Sequence, residues 1–213
     1  RKRTCLLYTT MHLRLFSLPL AVRCVEKGYD VYGLDMDSEK IKSIDRGQSP
    51  FEDEFLKKRI SQFRFKATQN PEVIKKANII LICVPTPVDE NYYPVLTSVI
   101  EASESIARRI KTGALVVLES TVNPGVSEEI VKPIFEKAGH VVGKDVFIAH
   151  CPERINPGDP KWNVTNIPRV VGSFDQKGLT LAVKFYQSII EEEIRPMKSI
   201  REAEAVKIVE NSF

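Results

Sequence analysis

Asp35 closes a short apolar run in GYDVYGLDMD. A carboxylate at the end of the second strand of a strand–helix–strand unit can accept hydrogen bonds from both hydroxyls of an adenine ribose. Its charge also repels a 2′-phosphate. Asp35 therefore points to a dinucleotide, and to NAD over NADP. The same carboxylate could instead cap the helix that starts near Asp37. On the sequence both readings stand.

Other chemistry-bearing residues also follow apolar runs. Cys83-Val84-Pro85-Thr86-Pro87 follows NIILI. Each proline fixes φ and removes an amide donor, so the turn is stiff. It can wall a cofactor site or simply redirect the chain. Glu119 to Gly125 (ESTVNPG) follows ALVVL. Its hydroxyls can cap a helix or hold a water or a phosphate. His150 to Gly158 (HCPERINPG) follows FIA. There Glu153 is either a carboxylate base near a cofactor or a surface glutamate. Lys207 and Asn211 lie four apart and share one helix face. Facing a cleft they could stabilise an oxyanion, while a solvated face explains them as well.

The elements that must position these residues alternate. Strands are expected at 31–34, 78–84, 114–118, 146–149 and 169–171, with amphipathic helices at 18–27, 39–45, 97–111, 125–138 and 176–188. Near-continuous apolar strands between helices predict a doubly wound, mostly parallel α/β sheet, Rossmann-like, with helices on both faces. Ligands bind such a sheet at the carboxyl ends of its strands. Gly28 and Gly113 sit where helix C-caps belong. Pro124 marks a helix start, with Glu128 and Glu129 near its positive end. Ser199 and Glu202 form a capping-box pattern for a last helix still running at Phe213.

With 213 residues, 43% of them hydrophobic, the chain can bury a sizeable core. A net charge of +3, with both signs interspersed, gives no reason to expect a nucleic-acid partner. No stretch reaches the ~18 apolar residues of a membrane span. Cys5, Cys24, Cys83 and Cys151 show no zinc-ligand spacing. Cys83, inside an apolar run, reads as a buried core thiol. His12, His140 and His150 form no motif, and no metal is expected. The thiol pattern suits a reduced, cytoplasmic setting.

One expected feature is missing. A glycine fingerprint should precede Asp35, yet residues 12–17 read HLRLFS. The second glycine lets backbone approach a pyrophosphate, and Arg14 occupies that place.

Taken in order, SLPLA, GYDVYGLDMD, CVPTPVDEN, LESTVNPG, CPERINPGD and EAEAVKIVENSF resemble the nucleotide-sugar dehydrogenases. That family contains the UDP-glucose, GDP-mannose and UDP-N-acetylhexosamine 6-dehydrogenases. The resemblance runs from about Ser17 to Phe213. It implies NAD-dependent oxidation of a UDP-sugar C6 alcohol to a carboxylate, for polysaccharide precursors, in a homodimeric full-length protein. A cysteine holds the aldehyde as a thiohemiacetal between two oxidations, and the resulting thioester is hydrolysed. Residue by residue, Asp35 matches the ribose-binding acid and Lys40 a basic position near the adenosine. Val84, Pro85 and Thr86 match the cofactor-lining loop. Thr121 matches the threonine that holds the catalytic water beside the cofactor, and Glu153 the base of thioester hydrolysis. Lys207 and Asn211 match the oxyanion pair. Arg154 after the glutamate, and Pro157 where some UDP-glucose enzymes carry a second glutamate, lean toward the UDP-N-acetylglucosamine/mannosamine branch.

The resemblance implies residues 1–198 as the NAD-binding domain and 199–213 as the start of a central dimerisation helix, truncated here. The family's nucleophilic cysteine lies beyond Phe213, so the polypeptide alone is expected to be inactive. His12, Arg14 and Ser17 stand where the family fingerprint has glycines, and the match resumes abruptly at Leu18. So abrupt a loss and recovery is what a local frameshift would leave. The rival expectation is a non-catalytic pseudoenzyme or assembly module with a degenerate cofactor loop. A Rossmann dehydrogenase for hydroxy acids is a further one, opposed by ESTVNPG and PERINPGD.

Overall fold

The structure, a computed structural model, describes residues 3–8, 17–50, 54–154 and 164–212. The strands are β1 (Thr4–Tyr8), β2 (Asp30–Leu34), β3 (Lys66–Thr68), β4 (Ile79–Ile82), β5 (Ala114–Leu118), β6 (Val146–His150), β7 (Arg169–Ser173) and β8 (Ile194–Pro196). The helices are α1 (Ser17–Glu26), α2 (Ser38–Asp45), α3 (Glu54–Gln62), α4 (Thr97–Ala107), α5 (Lys132–Lys137), α6 (Gln176–Ile189) and α7 (Ile200–Asn211).

Every residue of β4 (IILI), β5 (ALVVL) and β6 (VFIAH) is buried. Strands with no polar face must be covered on both sides, and they are. One core lies between the sheet and α1, α3 and α6, with Leu18, Leu56, Ile60 and Phe185 in it. The other lies between the sheet and α4 and α5, with Val99, Ile106 and Phe135, and is joined by Ile200 at the start of α7. Among the described residues the strands form one sheet in the order β3-β2-β1-β4-β5-β6-β7-β8. Pairing is parallel throughout except between β6 and β7. Strand order reverses between β1 and β4, and the crevice opened there is where this architecture binds ligands.

The expected sheet architecture is present, with adjusted element bounds. The strand expected at 78–84 stops at Ile82, because the proline-bearing turn leaves the sheet. The helix expected over 97–111 ends at Ala107, capped by Arg108. The helix expected over 125–138 opens as a π-helical turn, Ser127–Val131, before α5. Strands β1, β3 and β8 and helix α3 were not placed from the sequence. Three-residue strands are too short to show a period of two.

Gly28 does close α1. Its φ is +86°, its amide bonds Val25 O at 2.9 Å, and Tyr29 N bonds Cys24 O at 3.0 Å. That is the paired bonding of a left-handed glycine cap. Ser199 caps α7 by accepting the Glu202 amide at 3.2 Å, while the Glu202 carboxylate accepts from Lys198 N at 2.9 Å.

The carboxyl edge of the sheet

Asp35 follows β2 and is fully buried. Its Oδ1 accepts the Asp37 amide at 2.8 Å. Asp37 is the cap of α2, its Oδ1 accepting from Glu39 N at 3.0 Å and Lys40 N at 3.2 Å. The two readings of Asp35 therefore separate: capping belongs to Asp37, and Asp35 stands behind it at the strand end. Lys40, on the first turn of α2, pairs through Nζ with Asp37 Oδ2 at 3.4 Å.

Val84, Pro85 and Thr86 follow β4 and are stitched to the turn after β5. Ser120 Oγ accepts from Val84 N at 2.9 Å and lies 2.8 Å from Val84 O. The Thr86 hydroxyl donates to Thr121 O at 2.7 Å. Of the two uses open to the hydroxyls of ESTVNPG, capping the following helix is not the one Ser120 serves. That helix start has no cap from its own flanking side chain. Instead the buried Glu204 of α7 accepts from Gly125 N at 2.6 Å and Ser127 N at 2.8 Å. A carboxylate suits the positive end of a helix, and this one arrives from a distant segment.

Glu153 follows β6. Because β7 runs antiparallel to β6, the first residue of β7, Arg169, lies at the same edge. Arg169 is fully buried. One of its terminal nitrogens lies 2.9 Å from Glu153 Oε1 and 3.2 Å from Oε2, and the other donates to Pro152 O at 3.4 Å. The Arg154 amide also donates to Glu153 Oε1, at 2.7 Å.

Beneath Glu153 sits a buried acid. Glu119 Oε1 accepts from the Tyr186 hydroxyl, and Oε2 lies 3.6 Å from Cys83 Sγ. Burial pushes the Glu119 carboxyl up to about 7; the Arg169 charge opposes this and Glu153 adds to it. Burial likewise raises the Cys151 thiol to about 12 and the Cys83 thiol well above its ordinary value. Neither thiol is a thiolate at neutral pH, so neither serves as a ready nucleophile. Cys83, just after β4, is half-buried and packs against the core, so the thiol expected in the core sits at its margin. His150, at the end of β6, is held neutral by burial, which lowers it to about 3.

Lys207 is half-buried on α7, one turn beyond Glu204. Arg154 ties this helix to the loop after β6 by pairing with Glu210. Asn211 ends α7, and its side chain lies outside the described residues, as do His12, Arg14 and Pro157. Ser17, at the third fingerprint position, is described and fully buried at the start of α1.

The edge thus carries Asp35 and Lys40 on one side of the β1/β4 reversal and Val84 to Thr86, Thr121 and Glu153 on the other. From β2 to β5, which the Thr121 turn follows, is three strand spacings, roughly 14 Å. A buried carboxylate at one end and a stitched hydroxyl turn at the other fit an extended dinucleotide. Arg169 and Tyr186 were missed on the sequence. The one available signal was an arginine opening the otherwise apolar strand RVVGS. Among the described residues no group of His, Cys, Asp and Glu gathers as metal ligands would, and no helix is long and apolar enough to cross a membrane.

Residues 16–190 match the model of the UDP-glucose/GDP-mannose dehydrogenase family, NAD binding domain. The chain is 38% identical over 198 residues to UDP-N-acetyl-D-glucosamine 6-dehydrogenase of Pseudomonas aeruginosa, covering 92% of this chain and 46% of that protein. It is 35% identical over 205 residues to UDP-N-acetyl-D-mannosamine dehydrogenase of Pyrococcus horikoshii, covering 94% and 49%. The solved structure of the UDP-D-ManNAc dehydrogenase from Pyrococcus horikoshii superposes with a TM-score of 0.89 at 32% identity, over 97% of this chain and 50% of that one. The chain spans about half the length of the relatives it matches.

Proposed function

The chain belongs to the UDP-glucose/GDP-mannose dehydrogenase family, as its NAD-binding domain, and on that premise we propose that it is the cofactor half of an enzyme oxidising the C6 alcohol of a UDP-N-acetylhexosamine to a carboxylate. When bound, NAD supplies the hydride acceptor. Asp35 holds the adenine ribose, with Lys40 near the adenosine. Val84, Pro85 and Thr86 line the far part of the cofactor, and Thr121 holds a water beside it. Glu153 takes a proton from that water in the hydrolytic step. Lys207 and Asn211, on α7, stabilise the oxyanion. The reaction belongs to the cytoplasmic supply of polysaccharide precursors.

One observation supports this most. The Thr86 hydroxyl donates to Thr121 O at 2.7 Å, and the Glu153 amide donates to Glu119 O at 3.2 Å. The three strand-end turns are therefore bonded in sequence into one wall. The relatives are twice as long as this chain, so turnover is assigned to the complete enzyme and cofactor binding to these residues. The test is NADH and uronic acid formed from UDP-N-acetylglucosamine and UDP-N-acetylmannosamine. Two NADH per acid, from the complete enzyme and not from the 213-residue polypeptide, is expected. Net uronic acid from the 213-residue polypeptide alone, or none from either, would overturn the proposal.

A further inference from the structure

We propose that Arg169 is a positioning residue for Glu153, fixing the orientation of its carboxylate; this rests on the reading of Glu153 as the base that acts on the water held at Thr121. A glutamate side chain has three rotatable bonds, and a base must sit within hydrogen-bond reach of the proton it takes. Contacts from two neighbours restrict Glu153. One Arg169 nitrogen meets both carboxylate oxygens, at 2.9 and 3.2 Å. The neighbouring Arg154 amide donates to Oε1 at 2.7 Å. The second Arg169 nitrogen reaches Pro152 O at 3.4 Å, so the guanidinium grips the side chain and the preceding main chain together.

The side-chain hydrogen bonds of Arg169 go to Glu153 and to the main chain beside it. Glu119, the other buried acid nearby, already has one oxygen on the Tyr186 hydroxyl and the other facing Cys83. Arg169 Nε has no hydrogen-bond partner among the described residues. A buried guanidinium costs desolvation, which a close carboxylate offsets. The fork geometry matters as well as the charge. A lysine would keep the cation but present a single point rather than a planar fork.

The experiment is a double-mutant cycle in the complete enzyme that carries this domain. Arg169→Lys is expected to lower kcat by about 10- to 100-fold with KM nearly unchanged, the scale of a catalytic group displaced by about an ångström. On a Glu153→Gln background the same change is expected to cost less than about twofold, because the group it positions is gone. Equal losses on both backgrounds, or a lowered melting temperature with normal kcat, would overturn the assignment alone. An unmutated enzyme that oxidises no UDP-sugar would overturn the reading of the site, and this assignment with it. Should Arg169→Lys not fold, the nitrogen-15 spectrum of the unmutated enzyme decides. Arg169 terminal nitrogens slowed in rotation and coupled to the Glu153 carboxyl carbon support the proposal, and freely rotating, water-exchanging ones refute it.

Discussion

The Glu204 carboxylate accepts the Ser127 amide at 2.8 Å, joining residues 77 apart in sequence. Its other oxygen takes Gly125 N at 2.6 Å. The start of one helix is thus finished by the side of another, and α7 is locked to the turn that carries Thr121.

Removing that cap has a calculable cost. Hydrogen bonds to a buried charge contribute about 1.5–3 kcal/mol each, and an orphaned amide adds its own penalty. Glu204→Gln, which keeps an acceptor for only one amide, should lose about 2 kcal/mol; Glu204→Ala should lose more. For a chain of this size each kcal/mol lowers the melting temperature by about 2–4 °C. Calorimetric melts of both variants would show it. Melting within a degree of the parent would mean water replaces the carboxylate freely.

Two glycines should respond differently to alanine. A Cβ on Gly172 would lie 2.5 Å from Ser199 O and 2.7 Å from Ile200 Cα, backbone atoms with no flexible end to move. Gly172→Ala should therefore push α7 off β7 and cost at least about 1–3 kcal/mol. A Cβ on Gly28 meets nothing within 4 Å, but φ is +86°. Gly28→Ala should cost only the left-handed strain, about 1–2 kcal/mol. Urea unfolding separates them. Equal losses without loosening of α7 in hydrogen exchange would refute the clash.

The pH dependence has two opposed limbs. The folded Glu119 carboxyl is raised from 4.5 to about 7, so between those values the native state holds more protons than the unfolded chain. Its contribution to stability therefore falls as pH rises through that window. His150 is lowered from 6.5 to about 3, so there the unfolded chain binds more protons. Its contribution is lost as pH falls through that window. Glu119→Gln should flatten the rise-side loss and leave the acid limb. Tyr186→Phe removes a hydrogen bond that lowers the Glu119 value, so its carboxyl carbon-13 titration should move up. A downward move would show that the phenol does not donate to the ionised acid.

How much of this was legible depended on range. Ile79 to Ile82 and Ala114 to Leu118 announced buried parallel strands because no residue in either is polar. Gly28 announced a helix end because local bonding demands a left-handed residue there. Asp35 was readable as a strand-end acid, but its separation from capping needed the Asp37 amide bonds. Arg169 and Glu204 were not readable as site and cap, since their partners lie in other turns brought close only by the antiparallel β7 and by α7. The hydroxyls of ESTVNPG looked like caps because local rules favour that use. Tertiary contact gave Ser120 to Val84 instead.

The most direct test is calorimetric titration of NAD into the chain, beside a His12→Gly, Arg14→Gly, Ser17→Gly variant and the same variant with Asp35→Ala. The account predicts that the glycine variant binds NAD, more tightly than the chain with Arg14, and discriminates against NADP. It also predicts that losing Asp35 weakens binding by about 10- to 100-fold, the worth of hydrogen bonds to one carboxylate. A glycine variant that folds but binds no NAD, or binding indifferent to Asp35, would contradict the assignment of this edge as the cofactor site.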